Sequence, residues 1–99
     1  MRPLRIRPRA LREIDEAFEW YRKRAEPAAA AFLEELDSAL AQIAAAPEQH
    51  HLVRGRLRRV LLHRFPYGVY YKVFANAVSV VGVIHGHRHP RNWLSRAAP

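Results

Sequence analysis

Residues 57–85, LRRVLLHRFPYGVYYKVFANAVSVVGVIH, decide the architecture of this chain. Their apolar residues recur with the period of two that marks β-strands. Residues 57–62 read as one strand, Phe65-Pro66-Tyr67-Gly68 as a turn, and residues 69–74 as a second strand. In the second strand Val69, Tyr71 and Val73 share one face, and Tyr70, Lys72 and Phe74 share the other. Ala75-Asn76-Ala77 is a tight connection, since asparagine tolerates positive φ. Residues 78–85 are apolar on both faces, which places this strand centrally in a sheet. The whole stretch is a three-stranded meander.

The sequence before it is helical. Leu4 and Ile6 alternate with Arg5 and Arg7 between Pro3 and Pro8, a short strand. A helix starts at Pro8, and Leu11, Ile14, Phe18 and Tyr21 mark its apolar face, widened by Ala17 and Trp20. Both Trp20 and Tyr21 read as core. The polar face carries Arg12, Asp15, Glu16, Glu19, Arg22 and Lys23, with Glu19 and Lys23 as an i,i+4 pair. Glu26-Pro27 opens a second helix. Its stripe is Ala29, Phe32 or Leu33, Leu36, Leu40 and Ile43, and Pro47 ends it. Residues 48–56 read as loop. Residues 87–91 read as a basic turn, after which Trp93 and Leu94 anchor a short C-terminal helix or tail. The expected fold is α+β with the order β-α-α-β-β-β. A two-helix hairpin would pack on one face of a mostly antiparallel four-stranded sheet. Residues 1–99 are expected to form one domain.

Composition narrows the function. Hydrophobic residues make up 49% of the chain, enough for a packed core. There is no cysteine, which excludes disulfides, thiolate metal sites and thiol nucleophiles. No apolar run approaches membrane-spanning length and no apolar leader is seen, so a cytoplasmic protein with no membrane partner is expected. The formal net charge is +8, and it is unevenly placed. All nine acidic residues lie between Glu13 and Glu48, whereas residues 49–99 hold nine Lys/Arg, all six histidines and no carboxylate side chain. Such a half-chain projects a positive field toward nucleic acid or an acidic polypeptide.

Several segments together resemble the RelE/ParE superfamily of type II toxin–antitoxin toxins. They are ALREIDEAFEWY at 10–21, the helix ending in Pro47, GRLRRVLL at 55–62, RFPYGVYYKV at 64–73 and VIHGHRHPRNW at 83–93. The likeness is closer to the ParE-like branch, through the pattern His85, Arg88, Pro90. It implies a toxin of the plasmid-stabilisation type that arrests growth and is neutralised by a cognate antitoxin with an acidic or disordered C-terminal segment. A toxin–antitoxin hetero-oligomer would follow. ParE-like members act on DNA gyrase. RelE-like members cut mRNA on the ribosome.

Two chemistries are therefore open. Cleavage by a 2′-hydroxyl needs a base, a charge stabiliser and an acid. Arg58, His63, Tyr70, Lys72, His85 and Arg88 are the candidates for those roles. RelE-like nucleases use a C-terminal tyrosine, and this chain has none after Tyr71. Gyrase inhibition needs only a binding surface. Arg54, Arg56, Arg59, Arg64, His87, Arg91 and Trp93 are the candidates for contacting a target or an antitoxin. Arg58 and Arg59 fall on opposite faces of their strand, so they cannot line one site. Arg88, in a turn beside His85, is the leading single functional residue. His85, His87 and His89 alternate, but without cysteine or a nearby carboxylate they read as ordinary histidines. No metal or other cofactor is expected. A third reading is a basic nucleic-acid-binding module without toxicity, with arginines holding phosphates and aromatics stacking bases.

Overall fold

The computed structural model describes residues 2–86 of the chain. Its elements are β1 (Leu4–Ile6), α1 (Pro8–Arg24), α2 (Glu26–Ala45), β2 (His51–Arg54), β3 (Leu57–Leu61), β4 (Tyr67–Phe74) and β5 (Ala77–His85). The strands form one sheet in the order β1-β5-β4-β3-β2. β1 runs parallel to β5, pairing Leu4 with Val78 and Ile6 with Val80, and the other pairings are antiparallel. The α+β class holds, with β5 inside the sheet as its apolar faces require.

Four expectations are corrected. The sheet has five strands, because the segment read as a loop contains β2. β2 is an edge strand that buries little, with only Val53 packed against an apolar cluster, so it carries no strong alternation. The positive φ of Gly55 (55°) turns it back onto β3. Next, β4 begins at Tyr67, so the turn moves from residues 65–68 to residues 63–66. Finally, the buried stripe of α1 is Ala10, Glu13 and Ala17, flanked by Ile14 and Tyr21. Leu11 and Trp20 are 48% and 49% exposed. Alanines let the helix axis come close to β5, where larger side chains would hold it off. The expected Glu19–Lys23 pair is replaced by Glu19–Arg22 at 2.8 Å. The C-terminal helix or tail lies outside the described residues.

The helix hairpin turns on one residue. Ala25 is extended (φ −162°, ψ 110°) and caps both helices, its N–H donating to the Tyr21 carbonyl at 2.7 Å. Pro27 follows at the start of α2, where a missing N–H costs nothing. The two helices and the inner sheet face then share a core of Ala10, Ala17, Phe32, Leu36, Ala39, Ile43, Val69, Tyr71, Val78, Val80 and Val83. Aromatic rings close one end. Tyr21 stacks on Phe32 at 5.7 Å, and Phe65 meets both edge-on at 5.0 and 5.6 Å.

The opposite sheet face has its own small cluster: Leu57, Tyr70 and Ile84, with Val53 and Val81 against it. A bulge makes both clusters possible. Tyr70 pairs with Gly82 but Tyr71 with Val80, leaving Val81 unmatched. The extra residue resets the alternation. Val80 and Val83, three apart, therefore both enter the helix-facing core, while Val81 and Ile84 face the other way.

Glu13 is buried (9% exposed) and its carboxylate accepts the Val83 N–H at 3.0 Å. β1 reaches only to the level of Val80, so this carboxylate serves a backbone donor beyond the end of that strand. Glu13→Ala removes the acceptor and is expected to cost about 1–3 kcal/mol. Glu13→Gln keeps a carbonyl acceptor and is expected to recover much of the loss. Urea unfolding midpoints, with amide exchange at Val83, measure both; an unchanged midpoint in Glu13→Ala would remove the role.

Candidate functional site

The β2–β3 hairpin is held to the body by backbone carbonyls that follow α2. Pro47 stops the helix, and Ala46 caps it with its N–H on the Gln42 carbonyl. The chain then turns through residues 47–50. The Tyr71 hydroxyl donates to the Pro47 carbonyl at 2.7 Å. Arg58 Nη1 donates to the His50 carbonyl at 2.8 Å. His50 packs its ring edge-on to Tyr71 and bonds the Gln42 carbonyl at 3.1 Å. A core tyrosine and a half-buried arginine thus fix where the hairpin leaves α2. Burial pushes the Tyr71 hydroxyl up to about 12, against the opposing pull of the Arg58 charge.

The hairpin gathers several of the residues singled out from sequence. Arg54 and Arg56 flank Gly55 at its exposed tip. The Arg56 guanidinium lies 5.5 Å from the centre of the Phe74 ring. Arg58 and Arg59 point to opposite faces, paired across to Tyr71 and Tyr70. Tyr70 and Lys72 share the outer face with Arg59, but they are only 6% and 8% exposed. Burial and then the Arg56 charge hold the Lys72 ammonium below the usual lysine range.

The remaining candidates sit elsewhere. His63 and Arg64 lie in the 63–66 turn against α2. Glu35 accepts the His63 N–H at 2.8 Å, the Arg64 N–H at 3.1 Å and Arg64 Nε at 2.6 Å. His85 ends β5 and meets Tyr67 edge-on at 5.1 Å. Both line a narrow groove of about 170 Å³ beside α1, with Glu13, Glu16 and Trp20. His87, Arg88, Arg91 and Trp93 lie outside the described residues. Arg58, Tyr70, Lys72, His63 and His85 are therefore spread over two sheet faces and the 63–66 turn.

The hairpin arginines lie outside the ion pairs. Among the described residues the ion pairs are Arg2–Glu48 at 3.2 Å, Glu19–Arg22 at 2.8 Å and Glu35–Arg64 at 2.6 Å. Arg64 is thus neutralised by a helix carboxylate, whereas no carboxylate of the described residues pairs with Arg54, Arg56, Arg58 or Arg59. No group of three metal-ligating side chains occurs among the described residues, and none of their helices is long and apolar enough to cross a membrane. Sequence reading missed the roles of Glu13 and Glu35. The signal for Glu13 was its place one turn from Ala10 and one turn from Ala17, on a stripe of small residues.

The family model described as ParE toxin of type II toxin-antitoxin system, parDE, matches residues 4–90. The chain belongs to the ParE toxin family. Its fold is also similar to a solved chain of the chromosomal ParDE TA system from P. aeruginosa. The TM-score is 0.68 at 14% identity, covering 86% of this chain and 96% of that one. No curated protein matches it. Within this ParE family member, the β2–β3 hairpin presents exposed arginines beside an open sheet edge, and β1 presents Arg5 at the opposite edge.

Glu35 gives this ParE protein an acid-sensitive contact. Burial raises its pKa, but hydrogen bonds from the Arg64 side chain and from the Arg64 and His63 N–H groups outweigh that and hold it below 4.5. A depressed carboxyl stabilises above its unfolded pKa and loses that contribution as pH falls through the folded value. The Glu35 contribution is therefore expected to be complete at neutral pH and to fade only below about pH 4.5. Glu35→Gln is expected to lower stability at pH 7 by about 1–2 kcal/mol. It should also flatten the acid limb of the stability curve. Thermal melts of both proteins between neutral pH and pH 3 measure this; parallel curves would contradict it.

Proposed function

We propose that this protein is the toxin of a plasmid-stabilisation-type toxin–antitoxin pair, and that it arrests growth in the cytoplasm by binding DNA gyrase rather than by breaking a bond. The observation that carries this reading is the dispersal of the nuclease candidates. Tyr70 and Lys72 are buried, Arg58 faces the helix side, and His63 lies in a turn at the other end of β3. General acid–base chemistry requires such groups within hydrogen-bond reach of one substrate. Binding asks less. Unneutralised arginines on a rigid hairpin suffice to recognise an acidic macromolecular surface.

The same field suits inhibition by a cognate antitoxin, whose acidic or disordered C-terminal segment would fold against the basic surface and form a hetero-oligomer. The family membership supports that partner. A ribosome-dependent mRNA endonuclease is the second reading, favoured by the shared outer face of Arg59, Tyr70 and Lys72.

Two assays separate the readings. Purified protein is expected to inhibit gyrase supercoiling and to leave mRNA intact in a translating extract. Codon-periodic mRNA cuts with undisturbed supercoiling overturn the gyrase reading in favour of the endonuclease. Harmless overexpression of a chain verified as folded favours a nucleic-acid-binding module without toxicity.

A further inference from the structure

The helices cover one face of the sheet. Both contribute to the large core, whereas the small cluster of Leu57, Tyr70 and Ile84 on the outer face contains no helical residue. Strand register tells what else stands there, because residues paired across strands point the same way. One row runs the full width of the sheet: Arg5, Ser79, Lys72, Leu57 and Arg54. A second holds Gly82, Tyr70, Arg59 and His51. Arg7 is extended and its N–H donates to the Val80 carbonyl at 2.9 Å, so it continues the alternation of β1 on the side of Arg5. Neither row contains a carboxylate. None of Arg5, Arg7, Arg54 and Arg59 joins an ion pair among the described residues. Arg5, Arg7 and Arg54 are exposed, and Arg59 is half-buried. Cations thus stand at both edges of an apolar floor, about 19 Å apart at the usual strand spacing.

Such a face fits a polyanion, and the floor says which kind. Proteins that hold single strands stack the bases on aromatic rings. The aromatic of these rows is Tyr70, and it is laid down on the sheet. A Cβ at Gly68 would meet Tyr70 Cε1 at 2.9 Å, so the ring lies over that glycine, and Tyr70 is only 6% exposed. It offers no plate for a base. Backbone phosphate is what remains to be recognised, and duplex DNA carries one such charge per about 1.7 Å of axis with its bases still paired.

We propose that this helix-free face binds duplex DNA through its phosphates, without base readout, using Arg5 and Arg7 at one edge, Arg54 at the other and Arg59 between them. Lys72, 8% exposed, adds to the field from within the floor. Phosphate contacts position a protein but carry no sequence information. The inference goes beyond the gyrase reading and does not rest on it, because it concerns naked DNA.

The test is fluorescence anisotropy of a short labelled duplex of mixed sequence, titrated with the full chain over a range of salt. Four phosphate contacts give a slope of log K against log salt of about −3 to −4. Arg5→Glu/Arg54→Glu alters opposite ends of one row. With its fold verified by circular dichroism, it is expected to bind at least about tenfold more weakly and to lose about half of the slope. Arg12→Glu/Lys23→Glu makes the same change in net charge at exposed positions of α1 and should leave the slope unchanged. Arg5→Lys/Arg54→Lys should keep most of the affinity. Equal weakening by the two charge reversals overturns the face, since net charge alone would then account for binding. A single strand, or polyglutamate, bound as tightly as the duplex overturns the assignment to duplex DNA. A preference of more than about tenfold between two unrelated duplexes overturns contact without base readout.

Discussion

Beyond Val80 the fifth strand has lost its parallel neighbour, and the Glu13 carboxylate takes the Val83 N–H in its place. A great deal hangs on that contact. It ties α1 to β5, with the alanines at positions 10 and 17 buried on the same stripe of the helix. With α1 seated, the single extended residue Ala25 returns α2 alongside it. α2 then delivers Glu35 to the 63–66 turn and Pro47 to the Tyr71 hydroxyl. The arginine hairpin is thus tied, through α2, to a helix packed on β5.

The acidic residues clustered in the first half of the chain are divided among tasks. Glu13 serves a strand, Glu35 a turn and one arginine, and Glu48 the N-terminal Arg2. None of the described ones forms an ion pair with Arg54, Arg56, Arg58 or Arg59. The asymmetry read along the sequence thus survives folding in part. Arg64 is cancelled by a helix carboxylate, and the hairpin arginines are left to whatever approaches from outside. A field of this kind raises encounter rates with negative partners and weakens as salt rises.

The sequence carried the strong periodicities faithfully. The Ala29, Phe32, Leu36, Ile43 stripe and the two-sided apolarity of β5 are both core requirements, and both were legible. β2 was not, since an exposed edge strand has little to bury and its pattern is set by the neighbouring turn. The stripe of α1 was misplaced for a related reason. Large apolar residues dominate a helical-wheel reading, whereas here close packing selects Ala10, Glu13 and Ala17 and leaves Leu11 and Trp20 outside. A buried glutamate is invisible to hydrophobic patterning, because its reason for burial is a backbone donor seventy residues away in the chain. For the candidate site, strand alternation separated Arg58 from Arg59 correctly, but no pattern along the chain could reveal that Glu35 would reach Arg64.

Gly55 holds a backbone conformation that L side chains rarely adopt, and the arginines on either side of it are exposed. Shape and charge at the tip are thereby uncoupled. The turn depends on the glycine, while its neighbours contribute almost nothing to the core and are free to drift. Substitution of either arginine would therefore alter the charge that the tip presents and leave the bend itself intact.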